Sequence, residues 1–423
     1  MQEWKTYRIG DICKRVCSGG TPKSTEPSYY DGEIPWLNTK EINFNRISST
    51  EKHITQSGLD NSSAKWIDKN SVIVAMYGAT AAKVAINTIP LTTNQACCNL
   101  SIDETKADYR FVYYWLCSHY TELASLANGG AQQNLNAQQI KDFEIKLPEI
   151  QIQQKIADLL WSIDNKIICN KSINDNLEQQ AQALYKSWFV DFEPFKDCEF
   201  VDSELGLIPE GWQVGTYEQI IQTTISGDWG KDIITGNYTH KVACVRGCDF
   251  QDMSIGVRGK TPERYILEKN YQAKRLIDND VIVEISGGTS TISTGRVCLI
   301  NDDLLGKYNN DIVCTNFCKV VRPIQSYGAY LYYSWKYKYD CRVMFGYENG
   351  TSGIKNFQIS DFLSKEPVII PSEYSIKEFQ MIIDTLQNNI QTNGSEIMKL
   401  ESLRDSLLPK LMSGELEINE IDC

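Results

Sequence analysis

Apolar residues recur at alternating intervals of three and four in two long stretches of the chain, which predicts two helices with heptad seams. The first seam comprises Leu160, Ile163, Ile167, Asn170, Asn174, Leu177, Ala181, Leu184 and Trp188. The second comprises Ile383, Leu386, Ile390, Asn393, Ile397, Leu400, Arg404, Leu407 and Leu411. Both rows share one register and place an asparagine at the same position (Asn170, Asn393). Such an asparagine either fixes the register at a cost in stability or lies at the edge of the seam.

Prolines mark the ends of these predicted helices, because proline interrupts the backbone hydrogen bonds of a helix interior. Pro148 and Pro194 bracket the first helix, and Pro371 precedes the second. We expect Pro409 to end or kink the second helix, which makes Leu411 a weak member of its seam.

The residues that precede each helix also repeat, with a shift of about 210 to 223 positions, far longer than the period of a solenoid. The matching segments include Trp4 and Trp212, Ser18-Gly19 and Ser226-Gly227, Asn70–Val74 and Asn279–Val283, Gly78 and Gly287, Tyr113-Tyr114 and Tyr332-Tyr333, and Gln139–Phe143 and Gln358–Phe362. The repeat predicts an α+β chain with two similar globular domains in tandem, each followed by a long helix. The predicted boundaries are 1–148, 149–196, 197–371 and 372–423. A pseudo-symmetric chain of this kind suits a ligand that also has two halves.

Each globular copy contains a strand-like apolar run, 72–76 and 281–285, that leads into a loop rich in glycine and hydroxyl groups. A second polar loop precedes each long helix, at 128–134 and 348–353. Amide side chains can read base edges and hydroxyl groups can reach phosphates. Turn chemistry alone favours the same residue types, so the two explanations stand side by side.

The net charge of −12 argues against strong DNA binding by the chain alone, because neutralisation of phosphates carries much of the affinity. Residues 1–148 hold 15 basic and 15 acidic side chains, whereas residues 372–423 hold 4 and 10. A basic partner subunit would have to supply the remaining affinity. No apolar segment is long enough to span a bilayer, and cysteines without a secretory signal are typical of a reduced cytoplasmic protein.

Motifs for nucleotide, methyl-donor or metal chemistry are missing from the sequence. The nearest approach to a phosphate-binding loop, Gly259-Lys260-Thr261, has Ser254 in place of the first glycine. The chain holds three histidines, none close to another in sequence, and no Pro-Pro pair of the kind that adenine methyltransferases use. These features favour a binding protein without catalytic residues or a metal.

Several longer motifs make the chain similar to the specificity subunit of a type I restriction-modification system. They are Trp4–Ile12, Gly19-Gly-Thr-Pro22, Ile34-Pro-Trp-Leu37, Leu147-Pro148, Trp188-Phe-Val-Asp-Phe-Glu-Pro194, Gly206-Leu-Ile-Pro-Glu-Gly-Trp212 and Leu403–Gly414. The resemblance covers essentially the whole chain. It implies two target-recognition domains, each of which reads one half of a bipartite DNA sequence, held apart by two helices that pair as an antiparallel coiled coil. It also implies double-stranded DNA, two methyltransferase subunits and restriction subunits as partners. S-adenosylmethionine and ATP with Mg²⁺ would be bound by those subunits and not by this chain.

The recurrent loops supply the candidate DNA contacts. They are Thr21, Lys23, Tyr77, Thr80, Lys83, Gln132, Gln133, Asn134, Trp229, Lys231, Thr289, Ser290, Arg296, Asn349, Thr351 and Lys355. The candidates for partner docking are Trp188, Phe189, Leu407 and Leu411.

A helix from about residue 149 to 191 would be roughly 60 Å long, enough to seat two domains about one DNA turn apart and to set the gap between half-sites. Because the two globular copies differ in length and in most loops, an asymmetric target is expected. Two alternatives are a coiled-coil scaffold without a DNA role and a self-sufficient restriction-methylation enzyme.

Overall fold

The computed structural model describes residues 4–127, 134–289, 291–350 and 355–418. The chain divides into two compact units, residues 1–165 with 401–423 and residues 166–400. Within the described residues, no helix combines the length and the apolar character that a membrane crossing requires. The domain boundaries drawn from the repeat stay a prediction.

Two long helices, Ile150–Phe189 and Glu373–Ser413, confirm the expectation from heptad spacing. The seam positions are the buried or half-buried ones, while the intervening positions are mostly exposed. Of the two outcomes predicted at Pro409, an end of the second helix is wrong, because the helix continues to Ser413. A kink at Pro409 stays a prediction. Proline removes one backbone hydrogen bond. Here Leu411 and Met412, both buried in the core of the first unit, hold the last turn in place.

The first unit is built on a mixed sheet that packs against a helix. In spatial order the strands are Cys13–Ser18, Cys97–Ile102, Val72–Ala75, Val84–Asn87 and Asn45–Ile47. A smaller sheet contains Lys52–Ile54, Tyr30–Leu37 and Thr92–Thr93, and Lys5–Arg8 pairs with Glu144–Leu147. The α-helices are Gln56–Asp60, Tyr109–Ser118, Tyr120–Ser125 and Ala137–Asp142. The Tyr109–Ser118 helix buries nearly all of its aromatic side chains in this core.

The second unit repeats the order of the first four strands of the larger sheet and the order of the smaller sheet. Its larger sheet runs Ile221–Ser226, Cys318–Pro323, Val281–Glu284 and Val297–Leu299, and the smaller runs Glu263–Leu267, Tyr238–Val245 and Asp311–Cys314. Further pairs are Phe200–Ser203 with Gly206–Pro209, Gln213–Thr216 with Pro367–Ile370, and Lys355–Phe357 with both Ser286–Gly287 and Glu348–Asn349. The α-helices are Phe250–Ser254, Glu268–Lys274, Asp302–Leu305, Gly328–Asp340 and Ile359–Lys365. In both small sheets one neighbour of the central strand is antiparallel and the other parallel.

Matching backbone details accompany this matching topology. Asn70 and Asn279, which precede the central strands Val72–Ala75 and Val281–Glu284, both have φ of 66°. Asparagine tolerates this left-handed conformation better than most residues, since its short side chain can hydrogen-bond locally. The predicted glycine-bearing loops then follow the same strand in each unit.

Candidate nucleic-acid interface

Two polar loops singled out by the sequence meet in the first unit. Tyr77, directly beyond the central strand, forms an antiparallel bridge with Asn134. The amide of Leu135 donates to the carbonyl of Met76 at 2.8 Å, which fixes the end of the second loop, at Asn134, beside the first. The Tyr77 side chain remains 44% exposed. Chain segments far apart in sequence therefore share one surface.

Thr21 lies on the same surface because the backbone at Gly19 packs closely against the backbone at Thr93. A Cβ atom on Gly19 would lie 2.1 Å from the Thr93 carbonyl oxygen, so only glycine fits there. Thr21 then hydrogen-bonds Gln95, whose neighbour Ala96 accepts a 2.8 Å hydrogen bond from the amide of Met76. Gln95 is exposed and was missed by the sequence reasoning, although it follows Thr93-Asn94, which recurs as Thr315-Asn316 in the second copy and could have suggested it.

Lys83 closes the loop that begins at Tyr77. Its amide donates to the Thr80 carbonyl at 2.9 Å, and its Nζ donates to Asn43 Oδ1 at 2.8 Å. Lys23 is exposed, and its carbonyl accepts a hydrogen bond from Glu26 in a turn. We call the surface formed by residues 20–23, 43–44, 77–83, 94–96 and 134 the first edge.

The corresponding loops of the second unit are joined by strand pairing. Gly287 lies opposite Lys355, and Asn349 lies opposite Asn356. Lys355 Nζ pairs with Glu348 Oε2 at 2.7 Å, while Asn349 is exposed. We call the surface formed by residues 228–231, 246–247, 284–289, 315–317, 348–349 and 355 the second edge. Gln132, Gln133, Ser290 and Thr351 lie outside the described residues, so the predictions for them are not placed.

Arg296 is held by a buried carboxylate. Its Nε and Nη2 donate to the two oxygens of Glu284 at 2.8 and 2.6 Å, and the Glu284 side chain is only 10% exposed. These hydrogen bonds raise the pKa of Arg296 and fix its guanidinium group. The ion pair lies at the base of the loop that follows Glu284. The Arg296 side chain is 41% exposed, so contact with DNA at this position would use the exposed part of its guanidinium group. Thr289 serves a turn, in which its hydroxyl accepts from the amide of Ile292 at 3.0 Å.

Trp229 is oriented by an arginine that sequence reasoning missed. The Arg264 guanidinium carbon lies 4.2 Å from the centroid of the indole ring, and Arg264 Nε donates to the Trp229 carbonyl at 2.8 Å. Asp232 pairs with the same guanidinium group. Lys231 Nζ lies 5.7 Å from the centroid of the Tyr238 ring. Cation–π stacking thus holds Trp229 on the second edge with 38% of its surface exposed.

The residues predicted to dock a partner lie largely inside the chain. Phe189 is buried, with its ring centroid 4.9 Å from those of both Tyr330 and Phe379. Leu411 is buried in the core of the first unit, whereas Trp188 and Leu407 are half-buried. Phe189 and Leu411 therefore close the protein's own cores, which corrects the expectation that their side chains face a partner.

Comparison with known proteins gives these surfaces a context. The family described as the type I restriction modification DNA specificity domain matches residues 1–179. The MjaIX type I restriction enzyme specificity subunit of Methanocaldococcus jannaschii is 26% identical over 437 residues, which cover 99% of this chain and 95% of that protein. The HindI specificity subunit of Haemophilus influenzae is 23% identical, with 98% of this chain and 100% of that protein covered.

A solved structure shares the fold. The crystal structure of the type I restriction-modification S subunit from M. genitalium superposes with a TM-score of 0.56 at 16% identity, covering 97% of this chain and 96% of that one. The sequence relatives extend over nearly the full length of this chain, and both are named as specificity subunits. Residues 1–179 thus match the DNA specificity domain of type I restriction-modification systems, and the chain as a whole is similar to specificity subunits of such systems.

Proposed function

We propose that the first and second edges each contact one half of a bipartite DNA site. The match of residues 1–179 to the DNA specificity domain, and the similarity of the whole chain to specificity subunits, support a non-catalytic subunit that confers DNA sequence specificity. The observation that carries the proposal is that the same pairing of two loops occurs in both units. In both units a loop beyond the central strand pairs with a loop from shortly before the end of the globular part.

The two edges carry different side chains at equivalent places, and this supports an asymmetric target. Where the first edge has Thr21 and Gln95, the second has Trp229 and Phe317. Hydroxyl and amide groups hydrogen-bond base edges or phosphates, whereas aromatic rings stack or contact thymine methyl groups. Two chemically distinct edges would select different half-sites.

The long helices would then act as an antiparallel coiled coil that sets the gap between half-sites. Polar contacts support this arrangement within the second unit, where Asn393 Nδ2 donates to Asn174 Oδ1 at 2.8 Å and Asn170 Nδ2 to Glu396 Oε2 at 2.8 Å. In the first unit, Arg404 Nη1 lies 3.0 Å from Asp164 Oδ1. Buried polar groups at a helix seam penalise shifted registers, because a shift leaves them unpaired.

The partners in this proposal are double-stranded DNA, two methyltransferase subunits and the restriction subunits. S-adenosylmethionine and ATP with Mg²⁺ would belong to those subunits. Because Phe189 and Leu411 are buried, the docking surface would consist of neighbouring exposed positions on the long helices, such as Tyr374 and Met381, which are 69% and 68% exposed.

A domain exchange tests the proposal. Residues 1–148 are replaced by the corresponding segment of a relative with a different target, and the chimaera is expressed with its methyltransferase. Sequencing of the methylated motifs should show one half of the motif changed and the other half retained. The reciprocal exchange of residues 197–371 should change the opposite half. A motif that changes in both halves, or in neither, would contradict two independent readers.

A further inference from the structure

The second edge contains a cavity of about 470 Å³ that is left open by the residues the structure describes. This volume lies within the range of about 300–1,000 Å³ that is typical of sites for small organic groups. Its lining combines aromatic, charged and amide side chains: Trp229, Arg246, Glu284, Thr315, Asn316 and Phe317, with Gly247 and Ser286.

Two aromatic rings among these residues are exposed at positions fixed by the backbone. Phe317 is 59% exposed and projects from a tight turn, in which its amide donates to Thr315 Oγ1 at 3.2 Å and its carbonyl accepts from Ile285 at 2.9 Å. Trp229 is held by its stack with Arg264. The neighbouring amide of Asp228 donates to the Cys314 carbonyl at 2.8 Å, which places the Trp229 loop beside that turn. Exposed rings that are held in place suit the stacking of a planar group.

Polar groups in the cavity are oriented as well. Glu284 is fixed by Arg296, and its carboxylate lies against Gly247, where an added Cβ would be 2.2 Å from Glu284 Oε1. The Arg246 guanidinium group is held by Asp249, with Nη2 to Oδ1 at 3.0 Å. A carboxylate accepts hydrogen bonds from exocyclic amino groups, and a guanidinium group donates to ring nitrogens and carbonyls.

The first unit has different chemistry at the equivalent positions. Ala75 stands where the second unit has Glu284, Gln95 where it has Phe317, and Thr21 where it has Trp229. The ring walls and the buried carboxylate are therefore particular to the second unit. A general requirement of the shared fold does not explain them.

From this arrangement we infer that the cavity receives one unstacked nucleobase from the DNA half-site contacted by the second unit, with preference for a base that carries an exocyclic amino group. The inference rests on the proposed function and adds how the second unit would recognise one base of its half-site. Extraction of a base costs pairing and stacking energy, and the cost is smaller when the base is already unpaired. Stacking between Trp229 and Phe317 would offset that cost.

The test uses the full chain in complex with its methyltransferase subunits, on duplexes that carry the methylated motif. In each duplex, an abasic analogue replaces the partner of one base in the second half-site, so that this one base is unpaired. We expect one adenine, cytosine or guanine position, and no thymine position, at which the wild-type complex binds roughly tenfold or more tightly than to the intact duplex. The Phe317→Ala and Trp229→Ala complexes should lose this gain, while Trp66→Ala, which truncates an exposed tryptophan of the first unit, should retain it.

Each outcome has a defined meaning. A gain that is the same in wild type and in Phe317→Ala reflects base extraction by the methyltransferase and overturns the inference, as does the absence of any gain. Both results leave the proposed function intact if the domain exchange still changes half of the motif. Phe317 is largely exposed, so its truncation should not unfold the chain, and a thermal melt checks this.

Discussion

Tyr114 and Tyr333, at matching places in the repeat, each carry a hydroxyl group that binds the long helices within its own unit. Tyr114 Oη donates to Asp164 Oδ2 at 2.6 Å. Tyr333 Oη donates to Glu178 Oε2 and accepts from Gln387 Nε2, both at 2.9 Å. Burial raises the pKa of both phenols, so each keeps its proton for the hydrogen bond. These contacts fix each globular part on its helical support.

Replacement of the buried hydroxyl group should be costly. We expect Tyr333→Phe to lower the free energy of unfolding by about 1–3 kcal/mol, because it removes the hydroxyl group that binds Glu178 Oε2 and Gln387 Nε2 in a largely buried setting, although Lys336 still pairs with Glu178 Oε1. Tyr374→Phe removes the same atom from a side chain that is 69% exposed and should cost about 0.5 kcal/mol or less. Urea unfolding of both variants provides the comparison. Equal losses would show that the buried network adds nothing.

Single residues show where sequence reasoning stops. The repeat made Tyr77, Asn134 and Trp229 candidates, because glycine-bearing and polar loops recur at fixed places in the two copies, and their role in DNA contact stays a prediction. It could not identify Arg264, which reaches Trp229 from a strand 35 residues away. Nor could it show that Glu284 binds Arg296, since a pairing between neighbouring strands depends on their register. Side chains that act through distant partners are invisible to local patterns.

Elements were predicted more completely than side chains. Both long helices and the two central strands follow from hydrophobic periodicity, which reports burial directly. Most of the short strands could not be predicted, because runs such as Thr92–Thr93 gain their conformation only from the strand beside them. At Pro409 a local rule predicted that the helix could end, but packing of Leu411 and Met412 in the core keeps the helix going to Ser413.

The helices as a spacer give a prediction at this scale. Seven residues inserted after both Asn165 and Leu400, where the compact units divide, would add roughly 10 Å to each helix and preserve the phase of the seams. The preferred gap between half-sites should lengthen by about three base pairs, at 3.4 Å each. Sequencing of the methylated motifs measures the gap.

An insertion in only one helix, within the second unit, should break contacts between the two long helices and the globular part of that unit. Seven residues after Leu177 alone would separate Asn174 from Glu178, which bind Ile390 and Tyr333 within the second unit. This variant should lose stability without methylating a longer motif. Unchanged methylation of the original motif by the paired insertion would rule out the helices as the spacer.

The charge of the whole molecule shapes its affinity for DNA. A net charge of −12 opposes the approach of a polyanion, and two cations of the second edge are held in ion pairs, Arg246 with Asp249 and Lys355 with Glu348. Sequence-dependent contacts would then act only when another subunit supplies positive charge.

We therefore expect the chain alone to bind a duplex with the methylated motif at least about tenfold more weakly, at 0.15 M salt, than its complex with methyltransferase. The complex should also show the steeper fall in affinity with salt, because it neutralises more phosphates. Fluorescence anisotropy over a salt series measures both quantities, with a scrambled duplex as the control. Equal affinities and slopes for the chain and the complex would contradict the prediction.

The interrupted first unit has a consequence for synthesis. Its core needs Leu411 and Met412, yet these residues leave the ribosome only after the whole of 166–400. Residues 1–165 therefore keep part of their apolar surface uncovered until the C-terminal residues have been made. The second unit, in contrast, has all of its residues as soon as Leu400 has emerged. Biogenesis should thus complete the second unit first, and a chaperone or partner that shields the waiting segment would raise the yield of folded protein.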